Sequence, residues 1–148
     1  MGTEVVIESL EAEQVSLFGA FCQSEFLKLK QYLTLREYPV GQKVFKQGDL
    51  PQEIYILHSG CVEFYVEQHG VTSLQGAYSA GQTFGESAFL GIQPHAGSVC
   101  VRGSEPAKVI VITRDALMSM QKQEQSLFSM LMMNLAREVS RKYHGALV

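Results

Sequence analysis

Gly81-Gln82-Thr83-Phe84-Gly85-Glu86-Ser87-Ala88-Phe89-Leu90-Gly91-Ile92-Gln93-Pro94-His95-Ala96-Gly97-Ser98-Val99 is the stretch from which the rest of the chain is read. It opens on a glycine-punctuated turn. Ala88-Phe89-Leu90 is apolar and long enough for about one helical turn, which Gly91 and Pro94 end, because neither residue sustains a helix. Small residues follow, and Val99-Cys100-Val101 begins a strand. Glycine ahead of a helical turn lets backbone N–H groups gather round an anion with no Cβ in the way. Glu86, on that turn, is placed to accept hydrogen bonds from sugar hydroxyls. The residues outline either a small cradle for a phosphate and a sugar, or a plain turn between two strands with Glu86 in water.

On both sides of this stretch the chain reads as strands. Segments 35–40, 43–46, 54–58, 61–67, 72–78, 97–102 and 108–113 are short and apolar-rich. Pro39-Val40-Gly41, Gln47-Gly48-Asp49, Ser59-Gly60 and Ala80-Gly81 punctuate them. Val62, Phe64 and Val66 alternate with Glu63, Tyr65 and Glu67, the pattern of a half-buried strand. Ile54-Tyr55-Ile56-Leu57 is apolar throughout and predicts a strand covered on both faces. Many short strands at regular spacing predict a sandwich or barrel.

Helices flank this core. Ser24 is the expected N-cap of an amphipathic helix over 25–33, with Phe26, Leu29 and Leu33 on its apolar side. Arg114-Asp115-Ala116-Leu117 begins a second helix, with Asp115 near its positive end. A polar break is expected over 121–124, then a third helix over 126–143. In that helix Leu127, Leu131, Leu135, Val139 and Tyr143 lie four apart, beside a row of Phe128, Met132 and Ala136. The stripe is wide, and two readings stay open: packing on its own domain, or the seam of a dimer. Val5-Val6-Ile7 reads as a short strand or an arm against the body.

Composition bounds the function. A length of 148 residues supports one domain with a real core, and 46% hydrophobic with 18% charged residues argues against disorder. The net charge of −3 and the lack of a basic run argue against nucleic-acid binding by this chain alone. Cys22, Cys61 and Cys100 are odd in number and far apart, which predicts neither a disulfide framework nor a zinc site and suits a reducing, cytoplasmic setting. No apolar run reaches membrane-spanning length, and the first ten residues lack a signal-peptide core. His58, His69, His95 and His144 are scattered without ligand spacing, so no metal or cofactor is expected. The serines near Glu86 have no histidine and aspartate placed for a nucleophile relay, so a binding module is expected rather than an enzyme.

The opening stretch resembles the phosphate-binding cassette of the cyclic-nucleotide-binding domain family, which includes catabolite-activator-type regulators, regulatory subunits of cyclic-AMP-dependent kinase and gated ion channels. Phe84-Gly85-Glu86, Ala88-Phe89-Leu90 and Pro94-x-Ala96-Gly97-Ser98-Val99 carry the likeness. Two further stretches match the family's turns: Glu37-Tyr38-x-x-Gly41-x-x-Val44-Phe45-x-x-Gly48-Asp49 and Ile54-Tyr55-Ile56-Leu57-x-x-Gly60-x-Val62. The resemblance runs over about residues 17–143. It implies a mainly β fold with flanking helices: an antiparallel, eight-stranded β-roll of the jelly-roll type, one helix in front and two behind. Residues 1–16 are then an N-terminal arm and 17–148 the domain, with the roll over about 34–113 and the C-terminal helices over about 114–144. Regulators of transcription in the family continue into a helix-turn-helix domain, which 1–148 does not contain.

The resemblance also assigns a site: Phe84, Gly85, Glu86, Ser87, Ala88, His95, Ala96 and Ser98. Glu86 would take the ribose 2′-hydroxyl, Gly85 to Ala88 would offer N–H groups to the phosphate, and Ala96 and Ser98 would line the phosphate and base side. One position departs. His95 stands where the family has the arginine that grips the cyclic phosphate. Arginine is a planar, permanently charged fork; histidine is shorter and mostly neutral at pH 7. Losing a charge-assisted bond of about 1.5–3 kcal/mol weakens binding by roughly tenfold to a hundredfold or more. A protonated His95 facing the pocket would make affinity rise as pH falls. The resulting expectation is a non-enzymatic, stand-alone regulatory module. It would bind cyclic AMP, cyclic GMP or a related small anion weakly, pair as a homodimer through its last helix, and be read by an unidentified effector protein. The alternative is a ligand-free domain kept for dimerisation and protein–protein interaction.

Overall fold

The structure, a computed structural model, describes residues 2–5 and 15–147. Nine strands form two antiparallel sheets among the described residues: β1 (Thr3–Val5), β2 (Thr34–Tyr38), β3 (Lys43–Phe45), β4 (Glu53–Ser59), β5 (Cys61–Gln68), β6 (Val71–Tyr78), β7 (Thr83–Phe84), β8 (Ser98–Arg102) and β9 (Ala107–Thr113). The five-stranded sheet has the order β1-β2-β9-β4-β7 and the four-stranded sheet β3-β8-β5-β6. The two sheets face each other as an antiparallel roll of the jelly-roll type. The expected eight strands become nine. Thr83–Phe84 is too short to show a period of its own, yet it pairs with Tyr55 and Ile56 of β4. Thr3–Val5 pairs with β2, while Val6 and Ile7 of the expected arm lie outside the described residues.

The register of β4 on β9 explains the unbroken apolar run in each. Ile54 pairs with Ile112 and Ile56 with Ile110, and these four point at the helices. Tyr55 pairs with Val111 and Leu57 with Val109, and these four point into the roll. Both faces are covered, so neither can be polar. The interior of the roll also takes Tyr38, Val62, Phe84, Val99 and Val101, all buried.

Four α-helices surround the roll: α1 (Gln23–Leu29), α2 (Glu86–Gly91), α3 (Arg114–Gln123) and α4 (Gln125–Leu147). The N-cap of α1 is Cys22 and not the expected Ser24. Glu25 decides this, because its carboxylate accepts the Cys22 backbone N–H at 2.9 Å, one half of a capping box. The helix passes into a 3-10 turn over Lys30–Tyr32 instead of running on to Leu33. Thr113 caps α3 by accepting the Ala116 N–H at 3.1 Å. The polar break expected over 121–124 shrinks to Glu124, and α4 is longer at both ends than the expected 126–143.

The inner face of α4 belongs to this domain. Leu127, Leu131 and Leu135 are buried against Phe18, Phe26 and Leu29 from the N-terminal elements and Leu117 and Met120 of α3. Asn134, also buried, donates to the Leu17 carbonyl at 2.9 Å. Each buried leucine contributes about 1.5–3 kcal/mol, so these contacts fix where α4 lies. The leucines of the expected dimer seam are therefore in the domain's own core, while Met133 and Tyr143 remain exposed.

Candidate functional site

The opening stretch folds as a strand, a left-handed residue, a short helix and a loop. Gly85 has φ +75°, and a Cβ there would lie 2.9 Å from the Tyr55 ring. Both facts reserve the position for glycine. α2 then runs for six residues and closes on Ile92, which takes the left-handed conformation while the Gln93 N–H donates to the Ala88 carbonyl at 3.0 Å. Gly91 is thus the last helical residue, and the left-handed one follows it. The loop after Pro94 is pinned to the turn after β3. The His95 N–H donates to the Asp49 carbonyl and the Gly48 N–H donates to the His95 carbonyl, both at 2.9 Å. Two motifs that stand apart in sequence, Gly48-Asp49 and Pro94-His95, are one structural unit. Gly97 passes under β5 so closely that a Cβ would meet the Tyr65 carbonyl oxygen at 2.4 Å.

These elements enclose a cavity of about 250 Å³. Gly85, Glu86, Ser87, Ala88, His95 and Ala96 line it, so six of the eight expected site residues come together. The other two do not line it. Phe84 is wholly buried in the roll, its ring stacked on Tyr55 at 5.4 Å and Tyr78 at 5.1 Å. It belongs to the wall behind the cavity. The Ser98 hydroxyl accepts the Gln47 N–H at 2.9 Å and faces a separate, open groove with Lys43, Lys46 and Arg102.

His95 lines the cavity with its ring flat on Phe45, centroids 3.7 Å apart and planes 13° from parallel. It is only 5% exposed. Burial pushes its pKa below the ordinary histidine value, and Asp49 opposes this more weakly. At neutral pH it is an uncharged ring, which weakens the expectation of a protonated donor.

Glu86 is almost fully buried, and sequence reasoning missed its partner. Lys142 of α4 places Nζ 2.5 Å from Glu86 Oε1, donates to the Thr83 carbonyl, and lies 5.3 Å above the Tyr78 ring. Burial, with the Glu86 charge adding to it, pushes the Tyr78 hydroxyl up to about 12, so it stays protonated. Phe45, Phe64 and Tyr78 give the cavity an aromatic side. A signal for Lys142 existed: it stands seven residues after Leu135, two helical turns on, and so shares the face that carries Leu131 and Leu135 into the body.

Comparison with known proteins agrees with this geometry. The family described as cyclic nucleotide-binding domain matches residues 35–124. A cAMP-dependent protein kinase regulatory subunit of Mycosarcoma maydis is 34% identical over 100 residues, covering 67% of this chain and 19% of that protein. The potassium channel KAT1 of Arabidopsis thaliana is 30% identical over 105 residues, covering 71% of this chain and 15% of that protein. The chain thus spans a fifth or less of the length of these two relatives. A cyclic nucleotide-binding domain from Methylobacillus flagellatus superposes with a TM-score of 0.80 over 90% of this chain and 75% of that one, at 20% identity. No helix among the described residues is long and apolar enough to cross a membrane. The match across most of the roll, with the cassette and both turn motifs in place, makes this chain a member of the cyclic nucleotide-binding domain family.

Proposed function

We propose that the chain is a signal-sensing module whose cavity takes a cyclic nucleotide, cyclic AMP or cyclic GMP, with modest affinity. The observation that carries this reading is the buried carboxylate of Glu86 at the wall of a cavity shared with Gly85, Ser87, Ala88 and Ala96. A carboxylate that is out of water and faces a cavity accepts hydroxyl protons strongly. The volume, about 250 Å³, is below the roughly 300 Å³ at which ligand sites usually begin. It suits a sugar and phosphate, with the base toward the mouth. Modest affinity follows from a neutral His95 at the position where the family likeness expects a guanidinium. The effector is unidentified, and two copies would pair through the exposed side of α4.

A second reading has its own support. Lys142 already satisfies Glu86, which suits a domain kept for protein contacts alone. Thermal unfolding separates the two. A native-state ligand at about a hundred times its Kd stabilises by roughly 2.7 kcal/mol, or about 5–10 °C for a domain of this size. The nucleotide reading expects such a rise with millimolar cyclic AMP or cyclic GMP, and its loss in Glu86→Ala. No shift with either nucleotide at that concentration supports the interaction domain instead.

A further inference from the structure

Charge in the cavity does not balance without α4. Among the described residues lining the cavity, Glu86 carries a negative charge and Lys142 the one permanent positive charge. A phosphate entering beside Glu86 alone would put two negative charges in a partly open cavity, which is disfavoured; with Lys142 present the net charge there is minus one. Position 95 offers no relief, since its ring is packed flat on Phe45. Lys142 is half exposed, at 39% of its side chain, while Glu86 is sealed at 3%. Lys142 thus lines the cavity with a side chain that water still reaches.

The lysine is not there to hold the helix. Leu127, Leu131 and Leu135 are only 4%, 1% and 1% exposed and fix α4 upstream. Losing Lys142 would leave the buried Glu86 carboxylate without its partner, an effect on the cassette rather than on the anchor of α4. What the pair does is hold Nζ against the cavity by three contacts: the Glu86 carboxylate, the Thr83 carbonyl and the Tyr78 ring face. An ammonium has three donors, and two are used here, so one remains for a ligand oxygen.

We infer that Lys142 is the anion-reading residue of this cavity, supplying from the C-terminal helix the positive charge that position 95 lacks, for the phosphate of a sugar-phosphate ligand. This rests on the nucleotide reading above and adds to it a residue and a consequence. The phosphate is then bound by α4 itself, so occupancy acts directly on the last turns of that helix.

Calorimetry and thermal unfolding on the full chain test it, with cyclic AMP and inorganic phosphate as probes. Lys142→Met should weaken cyclic AMP by roughly tenfold to a hundredfold. Lys142→Gln should do the same, so the outcome does not hang on one variant folding. Lys142→Arg should stay within about threefold of the wild type, which a merely structural lysine would not require. Cyclic AMP binding that is equal or tighter in Lys142→Met overturns the proposal while the nucleotide reading stands, and tighter binding would mean that the lysine competes with the sugar for Glu86. If cyclic AMP does not bind, the nucleotide reading fails and the proposal that rests on it falls too, even where phosphate raises the melting temperature through Lys142. A wild-type chain that binds neither probe overturns both.

Discussion

His95 lies flat on Phe45 in a site with almost no access to water, and its titration should be visible in the stability of the fold. In the unfolded chain a histidine titrates near about 6.5; in the fold burial holds His95 lower. Between those two values the unfolded state binds more protons than the native state, so stability rises with pH. The contribution of a neutral His95 is complete above about 6.5 and is lost as pH falls through its folded value. The melting temperature should therefore drop as pH falls below about 6.5, and less steeply in His95→Phe, which keeps the stacked ring. An identical slope in that variant would show that His95 does not titrate with the fold. His58 is shifted the same way, by burial and then by Lys108, so His58→Gln must be measured beside it. The sequence marks position 95 as the departure from a familiar motif. It cannot show that the ring stacks on a residue from a distant strand, and the burial that comes with this packing is what favours a neutral ring.

Of all the elements, α4 does the most, and its two sides should respond differently to substitution. Leu131→Ala removes a side chain from the domain's own core and should cost about 2–5 kcal/mol, read from denaturant unfolding. Met133, 57% exposed, is on the side that a second copy would cover. Met133→Glu should change stability by no more than about 0.5 kcal/mol, yet halve the mass seen by light scattering if the chain pairs through this helix. A wild-type chain of monomer mass at micromolar concentration would remove the dimer from the account. The spacing of 127, 131, 135, 139 and 143 shows an apolar stripe but not its occupant. Phe18, Phe26 and Leu29, from the other end of the sequence, fill the inner face, and no local pattern announces that. Lys142 differs, because its signal is local. Grouped with Arg137, Glu138 and Arg141 it reads as a solvated end, whereas the helical period from Leu135 turns it inward.

At the scale of the whole molecule the cavity is a meeting place of distant segments. Phe45 comes from β3, Phe64 from β5, Tyr78 from β6, the cassette from 85–96 and Lys142 from α4. The roll itself was readable because its strands are short, alternate or run apolar, and are cut by glycine turns. The cassette was readable because its glycines, glutamate, short apolar run and proline are contiguous in sequence, although what excludes a larger residue at Gly85 and Gly97 comes from Tyr55 and Tyr65 on distant strands. What faces the cavity from elsewhere was not, since closure of the roll decides it and Phe64 and Tyr78 look like any inward strand residue. If Glu86, buried in this cavity, reads the sugar of a cyclic nucleotide, the 2′-hydroxyl must carry part of the affinity. Titration calorimetry of the full chain with cyclic AMP and its 2′-deoxy analogue tests that most directly. One cyclic AMP should bind per chain, and the analogue should bind more weakly by roughly tenfold or more, the loss of a hydroxyl bonded to a carboxylate. Equal affinity for the two, or no saturable heat with either at about millimolar concentration, would contradict it.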